Sequence, residues 1–467
     1  MSNTTVVILA AGHGTRMKSN MIKVMHPVAG KPLIGHTVDN IRRAGLDDIV
    51  VVVGYQQERL RAYLGDRVNF AVQAEQLGTG HAVLQAESFV DAKQGGDVLV
   101  VLGDNMFIGP DAIQRLMKHH TETNAVSTLL TAQVSNPKGL GRIIRDPATG
   151  RFVRVVEEKD ATPEQQLINE IWPGVAVFKR DGFVRYLKQL DNNNAQKEYY
   201  LPQTWALMVG QGQRVEAALI ATEEEAIAPN NRVQLAEAES RIRWQILERH
   251  MLEGVTVIDP KSTFIDEGVT IGRDTVIWPF TFIQGETQIG GDCVIGPNTT
   301  IRSSQVADNC KIEQSVVEES VIGTGCRIGP MAHLRPGCDL AADVEVGNYA
   351  ELKKAKVGRG VKCHHHSYMG DVTIGEKANI GAGAITANYN GFEKFPTTIG
   401  AGAFIGTNVN LIAPLVIGDG ALLAAGSSVS EDVPADALVV ERALPVVKEN
   451  GAAKLRERNR ARKQSKQ

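Results

Sequence analysis

An aliphatic residue recurs at every sixth position through much of the C-terminal half of the chain. Isoleucine fills seven such positions in succession: Ile265, Ile271, Ile277, Ile283, Ile289, Ile295 and Ile301. A helix repeats every 3.6 residues and a strand alternates every two, so neither gives this period. A triangular β-solenoid does, because each short side of a coil turns one aliphatic side chain inward and stacked coils share a core. The period therefore predicts a parallel β-solenoid.

The six-residue register is interrupted twice. It slips after Ile301, resumes at Ile322, and returns after a second slip at Ile399. The segment TANYNGFEKFP, residues 386–396, lies in the second slip and is too long for a corner. We expect this loop to project from the solenoid, as functional loops often do.

The first half of the chain has a different pattern. Strand-like runs such as VVILAAG, DIVVVVG and DVLVVLGD alternate with amphipathic stretches, which predicts an α/β domain with a mainly parallel sheet. Residues 232–252 contain neither Gly nor Pro and are predicted to form a connecting helix. We predict domains at 1–231 and 254–442, with a linker helix at 232–253 and a basic tail at 443–467.

Composition excludes several classes of protein. The net charge of −3 argues against a general nucleic-acid binder, and no apolar run is long enough to span a bilayer. The N-terminal segment MSNTTVVILAAGHG lacks the basic start and apolar run of a secretory signal. All five cysteines fall in the solenoid without a CxxC, so we expect structural thiols. These features predict a reduced, cytoplasmic, soluble protein.

A glycine-rich segment follows the first predicted strand. In LAAGHGTRMKSNMIK, Gly12 and Gly14 permit a tight turn whose N–H groups can approach a phosphate, and Arg16 and Lys23 add positive charge. The third Gly of a dinucleotide fingerprint is absent, and the segment is not a Walker motif. Taken alone, it is weak evidence for phosphate binding.

Two further segments strengthen the case for a nucleotide. QAEQLGTGHAV has small residues, including Gly78 and Thr79, that would let a flat base lie against the backbone. VLVVLGDN places Asp104 at the carboxyl end of an apolar strand, where α/β proteins bind ligands and metals.

These segments, with the later Asn-Asn-Arg at 230–232, resemble the nucleotidyltransferases that join a sugar 1-phosphate to a nucleoside triphosphate. With a hexapeptide solenoid behind them, they resemble, over nearly the whole chain, a bacterial family of bifunctional N-acetylglucosamine-1-phosphate uridyltransferases and glucosamine-1-phosphate acetyltransferases. The resemblance implies a Rossmann-like nucleotidyltransferase domain, a linker helix and a left-handed parallel β-helix that forms a homotrimer. It also implies acetylation of glucosamine 1-phosphate by acetyl-coenzyme A. UMP would then pass from UTP to the product, giving UDP-N-acetylglucosamine and pyrophosphate.

The resemblance assigns residues of the first half by position. Nucleotide contacts are expected at Leu9, Ala10, Ala11, Gly12, Arg16, Lys23, Gln73, Gly78 and Thr79. Sugar-phosphate contacts are expected at Gly141, Glu157, Trp172 and Asn230. Asp104 and Asn230 would hold Mg²⁺, a hard cation that prefers oxygen ligands and phosphates.

The same half departs from the family at its sugar-contacting positions. Trp172-Pro173-Gly174 stands where the family has Asn-Thr-Gly, and Pro202-Gln203 stands where it has Thr-Asp. A pocket that loses hydrogen-bonding groups can lose discrimination, whereas an indole can stack on a sugar ring. A different or relaxed sugar-phosphate specificity is therefore the alternative for this domain.

The second half contains three adjacent histidines in KCHHHSYMGD. Three successive residues of a strand cannot share one face, so they make a poor metal site. The resemblance singles out His365 as the general base of acetyl transfer, with His364 replacing a glycine. It places the sugar phosphate on Arg335, Lys353, Tyr368 and Asn379. It implies that acetyl-coenzyme A binds at residues of the solenoid and of the projecting loop. These residues are Ala382, Asn388, Tyr389, Lys394, Thr407, Ala425 and Arg442.

An alternative from a different functional class is that the chain is a non-catalytic scaffold in which the solenoid only trimerises. The presence of Lys23, Asp104 and His365 at matching positions counts against it.

Overall fold

The computed structural model describes residues 3–441 and 445–465. The chain divides into two compact units, residues 1–245 and 246–467. The division falls inside the helix Arg232–Leu252, whose ends coincide with the predicted connecting helix. Among the described residues, no helix combines the length and apolar character that crossing a membrane requires.

A ten-stranded sheet forms the centre of the N-terminal unit. Its order is Asn69–Val72, Ile49–Val53, Thr4–Leu9, Asp97–Leu102, Val175–Lys179, Ser127–Gln133, Glu170–Trp172, Gly141–Arg145 and Phe152–Val156, with Val215–Leu219 also paired to Ser127–Gln133. The first four strands are parallel. Val175–Lys179 is antiparallel to both neighbours, so the sheet is mixed rather than mainly parallel. The parallel part brings the carboxyl ends of four strands to one edge, where ligands bind in such sheets.

Helices cover both faces of this sheet. They are Leu33–Arg43, Gln57–Leu64, Thr79–Leu84, Glu87–Asp91, Pro110–Thr123, Pro163–Gln166, Phe183–Leu187, Gln203–Gly210 and Glu223–Ala226. A small hairpin, Pro27–Val28 with Lys31–Pro32, follows the glycine-rich segment. One core cluster, which includes Ile34 and Leu116, lies on one face, and a second, which includes Phe183 and Trp205, lies on the other.

Three parallel sheets form the solenoid of the C-terminal unit. The first contains Thr256–Val257, Val276–Ile277, Val294–Ile295, Lys311–Ile312, Arg327–Ile328, Glu345–Asn348, Lys362–His365, Asn379–Ile380, Phe404–Ile405, Leu422–Leu423 and Leu438–Val439. The second contains Thr263–Ile265, Thr281–Gln284, Thr300–Arg302, Val316–Glu318, His333–Leu334, Glu351–Lys353, Tyr368–Gly370, Ile385–Ala387, Asn410–Ile412 and Ser428–Val429. The third contains Thr270–Ile271, Gln288–Ile289, Gln305–Val306, Val321–Ile322, Asp339–Leu340, Lys356–Val357, Val372–Ile374, Thr397–Ile399 and Leu415–Ile417.

The six-residue period is the length of one side of the triangle. Ile265, Ile283 and Ile301 stack in the second sheet, and every isoleucine of the first run is buried. The coil from Ile283 to Ile301 takes eighteen residues, whereas that from Ile301 to Val317 takes sixteen. Shorter coils therefore explain the first slip of the register, and the predicted hexapeptide β-helix is confirmed.

Three smaller features bear on the predictions. The segment 388–396 leaves the solenoid between the second and third sheets and closes on itself through a bridge between Tyr389 and Lys394. All five cysteines are free and buried, as expected for structural thiols. In the basic tail, residues Gly451–Gln464 form an exposed helix. The sequence did not indicate this helix, because it has no apolar face.

Candidate functional sites

A cavity of about 270 Å³ opens at the carboxyl edge of the parallel strands in the N-terminal unit. Its lining includes eight of the nine residues predicted to bind nucleotide: Leu9, Ala10, Ala11, Gly12, Lys23, Gln73, Gly78 and Thr79. The ninth, Arg16, is exposed and lies near this cavity through its contact with Asn230. The two glycine-bearing segments of the sequence therefore meet at one site.

Two glycines shape the walls of this cavity. Gly14 has φ +65°, and a Cβ there would lie 2.5 Å from the Cβ of Lys23. Gly78 has φ +113°, and a Cβ would lie 2.7 Å from the Tyr199 carbonyl oxygen. Only glycine allows both the left-handed conformation and these close approaches, so both turns depend on it.

Positive and oxygen-bearing side chains converge at one end of the cavity. The Lys23 ammonium forms an ion pair with Asp104 and donates to Asn230 Oδ1 at 2.6 Å. Arg16 donates to the same oxygen at 2.9 Å. These four residues come from three distant segments of the sequence, and the fold brings them together.

A carboxylic acid with an unusual pKa lies beside a second cavity. Glu157 lines a space of about 290 Å³ together with Asp160, Tyr200 and Pro202. Burial raises the pKa of Glu157 to about 7, and the carboxylates of Asp160 and Glu198 add to the effect. Gly141 lies beside this carboxyl: a Cβ there would lie 3.7 Å from Glu157 Oε1 and 2.9 Å from Val155 Cγ1, so the close strand contact with Val155 favours glycine.

The raised pKa makes Glu157 a source of pH-dependent instability. Its folded pKa lies above the usual 4.5, so its stabilising contribution is present below pH 4.5 and is lost as the pH rises through 7. For a pKa shift of this size, the free energy of unfolding falls by roughly 3 kcal/mol over that pH range. We expect Glu157→Gln to stabilise the N-terminal unit at pH 8 more than at pH 5, as measured by urea unfolding.

The neighbouring Glu158 provides a matched control of opposite sign. Burial alone would raise its pKa, but hydrogen bonds from the Gly139 N–H and Arg142 outweigh burial and lower it. Its stabilising contribution is present above pH 4.5, so Glu158→Gln is expected to destabilise the unit at pH 8. The effect of Glu158→Gln should change little between pH 5 and pH 8, since both values lie above the lowered pKa of Glu158. An effect of Glu157→Gln that is the same at pH 5 and at pH 8 would contradict the assignment.

Trp172 lies in the core rather than in a cavity wall. Its side chain is 7% exposed, its Nε1–H donates to the Val175 carbonyl at 3.0 Å, and its ring meets Trp205 edge-on at 4.9 Å. An indole held in this way offers a ligand neither its N–H nor a free face. This conformation therefore does not offer the stacking contact expected from the sequence, and Trp172 instead pairs along the strands with Gly141.

In the C-terminal unit, His365 ends the strand Lys362–His365 at the corner between the first and second sheets. Its side chain is exposed, and in the described part of the chain its imidazole nitrogens have no hydrogen-bond partner. The adjacent His364 differs, because its Nε2 lies 2.8 Å from Glu345 Oε2. No group of three or more His, Cys, Asp and Glu residues within 3–441 and 445–465 is arranged to hold a metal.

Predicted acetyl-coenzyme A contacts form a column along this same corner. The Gly383 N–H donates to the His365 carbonyl, the Asn408 N–H to that of Ala382, and the Gly426 N–H to that of Thr407. Ala425 precedes Gly426 in the last of these coils. Ala382, Thr407 and Ala425 therefore stack coil upon coil above His365, about 4.8 Å apart.

Three cations gather at the second sheet. The Lys394 ammonium lies beside Lys353 and lowers its pKa, and Arg335 adds to the effect. Arg335 also donates to Glu351 Oε1 at 2.9 Å, and Glu351 pairs along the sheet with Tyr368. Such clustered positive charge suits a phosphate.

The remaining predicted residues lie around these groups. Asn388, at the base of the projecting loop, is buried and donates to Asp371 Oδ2 at 2.6 Å, while Tyr389 is exposed. Asn379 follows Lys362 in the first sheet. Arg442 lies outside the described residues.

The sequence analysis missed two polar residues that line the cavity at Lys23. Gln76 and Glu198 both contribute to its wall. Gln76 belongs to the QAEQLGTGHA segment, which was a usable signal. Glu198 reaches the cavity only because residues around Tyr199 contact Gly78 and Gly80, and nothing in the local sequence predicts that contact.

Family models match each half of the chain separately, and individual relatives match it over nearly its whole length. Residues 5–223 match the Nucleotidyl transferase family, residues 260–359 the GMPPB C-terminal domain, and residues 396–431 the Hexapeptide repeat of succinyl-transferase. Bifunctional protein GlmU of Symbiobacterium thermophilum is 68% identical over 100% of both chains. Bifunctional protein GlmU of Halalkalibacterium halodurans is 45% identical over 97% of this chain and 99% of its own.

A nucleotidyltransferase unit followed by a hexapeptide-repeat unit defines a transferase that catalyses two reactions. The chain belongs to the family of bifunctional GlmU proteins, which it matches over its full length. The predicted family and the predicted combination of a uridyltransferase with an acetyltransferase are confirmed. A nucleotide and acetyl-coenzyme A are the substrates that this combination implies.

Proposed function

We propose that the C-terminal unit acetylates glucosamine 1-phosphate, and that the N-terminal unit transfers UMP from UTP to the product. The products are UDP-N-acetylglucosamine, pyrophosphate and coenzyme A. The observation that carries the proposal is the convergence of predicted residues at two sites, the cavity at Lys23 and the corner at His365. A non-catalytic scaffold would require neither of these two arrangements.

In the uridylyl reaction, the sugar phosphate oxygen attacks the α-phosphorus of UTP, and the bond to the β-phosphate breaks. Lys23 and Arg16 neutralise phosphate charge as it builds up, which is the main work of such sites. Gln73 is buried beside Gly78, where a base can lie against the turn. The protein thus orients two anions that would otherwise repel each other.

Asp104 and Asn230 fit a magnesium ion. Both present oxygen atoms, both contact Lys23, and Asp104 is only 8% exposed. Two protein oxygens are few, but Mg²⁺ usually completes its shell with water and substrate phosphates. The ion, when bound, would supply further neutralisation of the triphosphate.

In the acetyl reaction, the amine nitrogen of the sugar attacks the thioester carbonyl and the C–S bond breaks, releasing coenzyme A. An amine must lose its proton to attack, and a neutral imidazole accepts that proton near pH 7. His365 lies at the end of the column formed by Ala382, Thr407 and Ala425, and within residues 3–441 and 445–465 its ring nitrogens have no hydrogen-bond partner. Arg335 and Lys353 would hold the phosphate of the same sugar.

We propose a cytoplasmic homotrimer assembled through the β-helix. The projecting loop supports an assembled site, because the exposed side chain of Tyr389 stands outside the coil, within reach of a neighbouring subunit. Five free, buried cysteines suit a reducing compartment.

One assay tests the function as a whole. Purified protein is incubated with acetyl-coenzyme A, UTP, Mg²⁺ and a panel of sugar 1-phosphates, and products are identified by mass. Glucosamine 1-phosphate should yield the UDP-linked acetylated sugar only when both co-substrates are present. Failure to form it would overturn the proposal.

A second candidate is relaxed sugar selectivity in the uridylyl site. Pro202 lines the cavity beside Glu157, where it offers neither a hydroxyl nor an N–H, and Trp172 replaces an amide. We expect a smaller preference for N-acetylglucosamine 1-phosphate over glucose 1-phosphate than in relatives with Asn-Thr-Gly. Changing Trp172→Asn and Pro202→Thr together should widen it, as measured by the ratio of kcat/KM values.

The core position of Trp172 requires a stability control for that experiment. Trp172→Asn removes the contact with Trp205 and puts an amide in the core, at a cost of about 3 kcal/mol or more. Thermal unfolding of each variant separates this loss from an effect on selectivity. A ratio that does not move in a folded double variant would contradict the second candidate.

The two activities are expected to separate physically. A fragment from about residue 250 onward contains all three solenoid sheets, and we predict that it folds, trimerises and acetylates glucosamine 1-phosphate. Light scattering and the acetyl-transfer assay measure these properties. A soluble monomer without activity would argue against independent domains at the predicted bounds.

A further inference from the structure

The histidine before His365 is held by a carboxylate in the neighbouring coil. His364 Nε2 lies 2.8 Å from Glu345 Oε2, and their strands, Glu345–Asn348 and Lys362–His365, are neighbours in the first sheet. Their side chains are 38% and 37% exposed. Lys362 also lies near the same carboxylate, at 4.0 Å. This hydrogen bond fixes the His364 ring at the surface of the coil.

The fixed ring contacts the proposed base. The ring centroids of His364 and His365 are 5.8 Å apart and the rings are inclined at 78°, an edge-to-face arrangement that such rings prefer. Because the imidazole nitrogens of His365 have no partner in the described part of the chain, this contact restricts a ring that would otherwise turn freely in solvent.

We propose that the His364–Glu345 pair positions His365 for acetyl transfer, an inference that rests on the function proposed for His365. Glu345 accepts a hydrogen bond from His364 Nε2–H, and the fixed His364 ring limits the rotamers open to His365. The proton of the substrate amine passes to His365, and neither member of the pair receives it. Without the pair, more conformational entropy must be lost before the base reaches its reactive orientation.

The proposal predicts a specific kinetic signature in the full-length enzyme. His364→Ala should lower kcat of acetyl transfer by roughly 3- to 10-fold, with KM for both substrates within about two-fold, because orientation rather than binding is lost. Glu345→Ala should have the same effect, and the double variant should be no slower than either single variant. Glu345→Gln keeps an acceptor oxygen and should stay near the parent.

A neighbouring ion pair supplies the matched control. Asp343 and Arg359 form an exposed bridge at 2.8 Å close to Glu345 in the sequence, without contacting His365. Asp343→Ala should leave both activities unchanged. Uridylyl transfer, measured on every preparation, should also stay unchanged, since it depends on the other unit. His364→Gly, the residue that the family has there, replaces His364→Ala if the alanine variant folds poorly.

Three results would overturn the proposal. Acetyl transfer by His364→Ala within two-fold of the parent would show that the ring contact has no catalytic effect. Losses that multiply in the double variant would show that the two residues do not act as a unit. A loss of roughly 100-fold or more in His364→Ala, with His365→Ala near the parent rate, would make His364 the base. That last result would also reject the role of His365 while leaving the acetyltransferase function intact.

Discussion

Asp104→Asn is expected to reduce uridylyl transfer by roughly 100-fold or more while acetyl transfer stays within about two-fold of the parent. The substitution keeps the size of the side chain and removes its charge. Asp104 pairs with Lys23 just after the strand Asp97–Leu102, so the change would remove the negative charge of the proposed Mg²⁺ ligand and also break the ion pair of the lysine. Steady-state rates of both reactions, measured over a range of Mg²⁺ concentrations, test this.

Asp48 offers a control from the same sheet. It forms an ion pair with Lys93 at 2.7 Å and lies just before the strand Ile49–Val53, at the edge opposite the nucleotide cavity. Asp48→Asn should leave uridylyl transfer within about two-fold, because it removes a charge of the same kind away from the phosphates. Normal uridylyl transfer by Asp104→Asn at low Mg²⁺ would show that the metal is held elsewhere.

The solenoid was predictable because its core obeys one repeating rule. Each inward position of a coil must be aliphatic. The fold can therefore be predicted from the spacing of residues such as Ile265, Ile283 and Ile301, without knowledge of distant contacts. A coil can shorten by two residues, one at each of two corners, without moving an inward side chain off the core, so a slip in the period leaves the fold unchanged.

The N-terminal sheet was less predictable, since strand direction leaves little trace in the local sequence. Val175–Lys179 is apolar and buried like the parallel strands, yet it runs antiparallel to both neighbours. Whether such a strand is parallel depends on the path of the chain before it. The order of strands beyond Asp97–Leu102 could not be read from apolar runs alone.

Motif residues were predictable, whereas residues placed by packing were not. Lys23, Asp104 and Asn230 meet as the family resemblance implies. The orientation of Trp172 depends on Trp205, which follows it by thirty-three positions and whose own indole donates to Ser127. A substitution at a ligand-contacting position therefore predicts a changed contact but not the direction in which the new side chain turns.

His365→Ala is expected to lower acetyl transfer by roughly 100-fold or more, because a positioned general base typically contributes that much. The imidazole is exposed and its nitrogens are available, and the column of Ala382, Thr407 and Ala425 leads to it. Uridylyl transfer should be unchanged. The rates of both reactions, followed through free thiol release and pyrophosphate release, provide the measurement.

Thermal unfolding distinguishes loss of a base from loss of structure. His365→Ala should unfold at the temperature of the parent, because the side chain is exposed, while keeping only a residual rate of acetyl transfer. His366→Ala is the matched control, since His366 is the next residue, is also exposed and adopts φ +41° at the corner. A near-normal rate in His365→Ala combined with a large loss in His366→Ala would move the base by one position. In that case the backbone turn at the corner, rather than the strand, would present the base to the sugar.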